Sequence, residues 1–217
     1  LKRSKIMKGK TLILIVLAAL AAGAAEHGRG EERVRIGMMM SYPGEMTGRV
    51  KAAFQRETEK ALGLLDVGLV WRELGRSGGE EVYERVVVVR FRTGCKADEK
   101  GTALGLAHVS NGRVLPFVEL DCGRVSAMMA WGGGGLKPHG AEDAYGRALA
   151  RVAAHELHHV LTCSQTHDEE GLTKATFSRE DLWGKEFAFS KAALERMRQS
   201  LGLQERSRGE QRASTEE

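Results

Sequence analysis

A chain of 217 residues, 42% hydrophobic and 29% charged, is long and apolar enough to bury the core of one globular domain, which excludes a wholly disordered chain. Its formal charge of +4 resides in the first ten residues, where Lys2, Arg3, Lys5, Lys8 and Lys10 meet no acid. Removing these five from the 33 basic residues leaves 28 against 29 acids, so the domain itself offers no global charge to attract nucleic acid.

The basic start runs into fifteen uncharged residues, 11–25, with small residues at Ala22-Gly23-Ala24-Ala25. This pattern predicts a signal peptide over 1–25, cleaved after Ala24 or Ala25. The apolar run falls short of the ~20 residues a membrane span needs, so no stable membrane anchor is expected after cleavage and the product is exported, secreted or periplasmic. Export permits disulfides. Cys95 and Cys122 each close a strand-like run and form the expected pair, leaving Cys163 reduced; spacing alone leaves other pairings open.

Residues 26–33 are a polar lead-in, and 34–203 are expected to form a single domain. Residues 34–41 suit a first strand, and Tyr42-Pro43-Gly44 a turn. From 45 to 65, Val50, Phe54, Ala61 and Leu65 recur at helical spacing. Strands are predicted over 68–74 and, from its β-branched run, over 82–93. Two further strands, 103–109 and 114–120, flank Asn111-Gly112, a strong hairpin signal. Pro116 predicts that the second of these lies at a sheet edge.

A short helix over 123–129 and a glycine-rich loop, 131–136, precede the principal amphipathic helix, 141–163. No Lys-Ser/Thr follows the glycines, so they do not read as a phosphate cradle. Ser178 with Asp181 makes a capping box, flanked by Phe177 and Leu182 as a hydrophobic staple. Helix then runs to Leu201, with a break at Gly184, and the tail 204–217, almost without apolar residues, is expected to be disordered.

The chemistry lies in Ala154-His155-Glu156-Leu157-His158-His159-Val160. On a helix, His155 and His159 stand one turn apart on one face and can share a Zn²⁺; Glu156 is placed to act as general base on a water held there. A third ligand from beyond the helix leaves one coordination position open, as a catalytic site requires. His167 is the nearest candidate, with Cys163, Asp168, Glu169 and Glu180 as rivals. Cys163 is the least suited, because three ligands on one straight helix would span about 12 Å. His158 falls off the bisector of the pair and reads as a partly exposed helix-shoulder residue; His108 reads as an ordinary strand residue, and His27 and His139 lie in loops.

Over residues 151–167 the sequence resembles the zincin metallopeptidases, and within them the metzincins, in the form of short bacterial members bearing a signal peptide. The resemblance implies an α+β fold, with a mixed twisted sheet packed on the active-site helix and a short C-terminal helical part. It implies a zinc-dependent peptidase acting on peptide or protein substrates, with His155, His159 and His167 as ligands and Glu156 as catalytic base. Leu104-Gly105-Leu106-Ala107 is similar to the family's substrate-binding edge strand, which puts Gly105 and Ala107 beside the substrate. The departures are equally specific. Seven residues separate His159 from His167 where the family has about five, and Thr162 replaces the usual glycine. No methionine follows in Leu172-Thr173-Lys174-Ala175-Thr176-Phe177, where the family places its Met-turn. These departures motivate an alternative, a non-catalytic zinc-binding or interaction protein on the same fold.

Overall fold

The hydrophobic alternation of Ile36, Met38 and Met40 builds β1 (Arg35–Ser41), whose apolar side is buried. Thr47 accepts the Val50 N–H and caps α1 (Gly48–Leu62), which carries the chain back to β2 (Gly68–Glu73). β3 (Arg85–Arg92), β4 (Gly105–Ser110) and β5 (Arg113–Asp121) follow, then α2 (Cys122–Met129), α3 (Ala141–Thr162), α4 (Arg179–Trp183) and α5 (Lys191–Leu201). This computed structural model describes residues 33–43, 46–76, 81–92, 103–129 and 140–203, all within the unit Arg33–Glu217. The expected signal peptide, nearly all of the lead-in, Cys95, the glycine-rich loop and the tail lie outside the described residues. No helix among the described residues is long and apolar enough to cross a membrane.

The five strands form one mixed sheet in the order β2-β1-β3-β5-β4, with β4 antiparallel to β5 and all other pairs parallel. Val87, Val89 and Phe91 of β3 turn into the core while Val86, Arg90 and Arg92 are exposed, so one face of the sheet is covered and the other is open. Asn111 and Gly112 both take positive φ, 50° and 74°, the geometry of a two-residue hairpin turn between β4 and β5.

Two expectations need correction. β5 is an internal strand, between β3 and β4, despite Pro116. Its register with β4 slips between Ala107 and Val109, and its pairing with β3 begins at Phe117, so the proline sits in a bulge where its missing N–H leaves no gap in the ladder. Cys122 opens α2 as a half-buried thiol, unbridged among the described residues, with its carbonyl accepting the Tyr145 hydroxyl; its expected partner Cys95 lies outside them. The principal helix is not amphipathic where it matters: α3 is buried on every side from Ala148 to His159. It runs between the sheet and the other helices as the central strut of the domain.

Two features explain how so polar a helix can be buried. Arg151, 1% exposed, donates to Glu57 on α1 and to the carbonyls of Asp181, Leu182 and Lys185, tying α1, α3 and α4 together. One turn further on, the histidines begin. The capping box is formed in full, with Ser178 accepting from Asp181 N–H and Asp181 accepting from Ser178 N–H. Residues 184–190 then break the helix before Ser190 caps α5.

Candidate metal centre

The end of α3 determines the site. Thr162 remains helical, and Cys163 takes the left-handed conformation, φ 50°, with its N–H returning to the His159 and Val160 carbonyls. Ser164 N–H bonds the His159 carbonyl as well, a Schellman-type closure. The turn therefore falls one residue beyond Thr162, which lengthens the path to His167. It also brings the Ser164 carbonyl against His159 Nδ1, at 2.8 Å. His155 Nδ1 lies 2.8 Å from the Leu172 carbonyl. A carbonyl can only accept, so both Nδ1 atoms carry the proton and both Nε2 lone pairs are free to ligate.

Those two Nε2 atoms are 3.1 Å apart, and the donor atoms of His155, His159 and His167 all lie within 4.8 Å of one another. Tetrahedral zinc with bonds of about 2.05 Å sets donors about 3.3 Å apart, so the helix pair fits and His167 closes the set by moving at most ~1.5 Å. Burial holds His155 in its neutral form, down to about 4, as ligation requires; His159 is lowered too, again by burial. Phe177 stands edge-on to His155, with ring centroids 5.4 Å apart. Leu172, wholly buried, lies in the segment where the family would place its methionine.

None of the rivals joins this cluster among the described residues. Cys163 is exposed and directs its thiol towards the Val160 carbonyl. Asp168 is engaged by Thr173 and Arg196, whose hydrogen bonds outweigh the opposing effect of burial and hold its carboxyl below the usual range. Glu180 lies in the first turn of α4. His158 differs from expectation: it is fully buried, packed towards Phe189 and His159, and neither ring nitrogen has a hydrogen-bond partner among the described residues. Burial lowers it to about 4, so the imidazole is neutral. Its position off the ligand face was legible; the packing of α5 and the 184–190 segment over it was not. His108 lies on β4 beside Glu119.

Glu156 points at the edge strand. Its Oε2 accepts the Ala107 N–H at 2.7 Å, an outward amide of β4 not used in pairing with β5. A Cβ on Gly105 would stand 2.7 Å from Val152 Cγ1 and 2.8 Å from Glu156 Oε1, so only glycine leaves the carboxylate its seat. Burial pushes Glu156 up to about 7, against the lowering effect of the Ala107 amide. The three histidines, Glu156, Gly105 and Ala107 all line one cleft of about 590 Å³, with Val114 and Met128 among its apolar walls. A buried carboxylate of raised basicity, three convergent imidazoles and a free strand edge in one cleft can bind a metal ion and move a proton beside an extended chain.

No family model matches the chain, and no curated protein matches its sequence. Among solved structures it is similar to the crystal structure of archaemetzincin from Methanopyrus kandleri, at 13% identity and a TM-score of 0.47, over 81% of this chain and 99% of the other. Sequence reasoning missed the carbonyls of Ser164 and Leu172 and the partners of Asp168. Backbone atoms have no signature in a sequence, and Asp168–Arg196 is a tertiary contact between segments 28 residues apart.

Proposed function

We propose that this chain is a zinc-dependent metallopeptidase of the metzincin-like kind, exported from the cell that makes it. The observation that carries the reading is the convergence of His155, His159 and His167 beside Glu156 at the free edge of β4, with the two helix imidazoles oriented through Nδ1. Bound zinc would supply a Lewis acid that polarises a scissile carbonyl and acidifies water towards neutrality. The protein's own residues do the rest. An extended peptide adds as a strand along β4, where outward backbone groups at Gly105 and Ala107 fix its register. Glu156, with a basicity matched to neutral pH, takes the proton of the attacking water and returns it to the leaving amine. The apolar cleft walls limit competing water.

Replacing Glu156 by Gln should lower peptide cleavage by ~10²–10⁴-fold while zinc stoichiometry stays at the wild-type level. The assay is a broad peptide library, with and without chelator, read alongside elemental analysis. Undiminished cleavage in E156Q would remove Glu156 from the chemistry. A zinc-loaded wild type that cleaves nothing in a chelator-sensitive way would favour the non-catalytic zinc-binding alternative.

A further inference from the structure

We propose that Asp168 and Arg196 are positioning residues for the metal centre, a carboxylate–guanidinium clamp that fastens the segment bearing His167 onto α5. The inference rests on the reading of the three histidines as ligands. His155 and His159 are each held through Nδ1 by a carbonyl, but none of the described hydrogen bonds reaches a ring nitrogen of His167. Its ring contacts are packing alone, stacked on His155 with centroids 5.1 Å apart and edge-on to His159 at 4.8 Å. An exposed imidazole so held is placed by its backbone, and that backbone is tied down at the next residue.

Asp168 N–H donates to the Thr173 carbonyl at 3.0 Å. The Asp168 carboxylate accepts the Thr173 hydroxyl at 2.7 Å and Arg196 Nη2 at 2.6 and 2.8 Å, with Ser190 Oγ at 3.5 Å. Thr173 is itself immobile, being fully buried and next to Leu172, whose carbonyl already orients His155. Ser190 and Arg196 belong to the cap and body of α5, which packs on α3. The third ligand is thus referenced to the same core as the other two, through a carboxylate rather than through its own ring. The side chains of the adjacent Glu169 and Glu170 are exposed; of the two residues only the Glu170 carbonyl meets the clamp, 3.4 Å from the Thr173 hydroxyl.

The test is zinc affinity of the purified full chain, by competition with a chromophoric chelator, for wild type, Asp168→Asn, Arg196→Gln, Arg196→Lys, His167→Ala and the double variant H167A/D168N. The expected result is a ~10–100-fold loss of affinity in D168N and in R196Q, with partial recovery in R196K. In the H167A background, D168N should change affinity by less than ~2-fold, because its effect passes through His167. The visible spectrum of the Co²⁺ form should shift in D168N and R196Q, while the near-UV circular dichroism of the metal-free variants should match wild type. Affinities within ~2-fold of wild type in both single variants would overturn the clamp and leave the peptidase reading intact. So would a full D168N effect in the absence of His167. A wild type that binds no zinc would overturn both.

Discussion

Gly105 shows how much of this site depends on the absence of atoms. Its hydrogen faces the Glu156 carboxylate and Val152, at distances where a methyl group would have to displace one of them. Val152 is fixed in the core of α3, so the carboxylate is the group that gives way. Gly105→Ala should therefore reduce cleavage by ~10²-fold, the usual cost of misplacing a reacting group by about an ångström, while zinc content stays unchanged. The Ala107 amide, relieved of its carboxylate partner, should exchange its hydrogen faster in the same variant. Slow exchange at Ala107 together with wild-type turnover would show that Glu156 does not need the glycine. The motif announces Glu156, and Gly105 was legible as an edge-strand residue, but that it makes room for a carboxylate 51 positions later is seen only with the strand against the helix.

At the scale of elements, Arg151 is the residue on which the packing of three helices depends. Its guanidinium is buried between the Glu57 carboxylate and the exposed end of α4, where carbonyls have no helical partner. Replacing Arg151 by Met preserves bulk but abandons the half-buried Glu57 carboxylate and up to three carbonyls, and should cost about 1–3 kcal/mol in a urea titration. A loss below about 1 kcal/mol would mean that water takes over the partners. Nearly every element was legible beforehand, because periodicity, the Asn-Gly hairpin and the Ser178 cap are local signals. What escaped were non-local matters. Pro116 argued for an edge, yet a bulge accommodates it inside the sheet. The helix over 141–163 read as amphipathic, with His158 on a partly exposed shoulder, yet partners from α1, the post-helix turn and α4 make full burial of 148–159 sustainable.

For the molecule as a whole, the unusual protonation states of the site set an acid limit on the metal-free fold. His155 and His158 fall to about 4 in the native state from 6.5, so between these values the unfolded chain binds more protons. Stability from these two therefore rises with pH across that window and is lost as pH falls through it. Glu156, raised to about 7 from 4.5, acts in the opposite sense: the native state holds the extra proton, and stability declines as pH climbs from 4.5 to 7. Two histidines outweigh one carboxyl, so the melting temperature of the chelated protein should increase from pH 4.5 to 6.5, and more steeply in E156Q. A flat or falling profile would contradict these assignments. His155 and His159 leave the ribosome first, and the Ser164 carbonyl, His167, the Leu172 carbonyl and last Arg196 on α5 follow in that order. Synthesis from the N-terminus thus delivers the motif long before the parts that arm it. A nascent or truncated chain ending short of α5 carries the histidine motif without its assembled centre, so tight zinc binding is deferred until α5 has emerged.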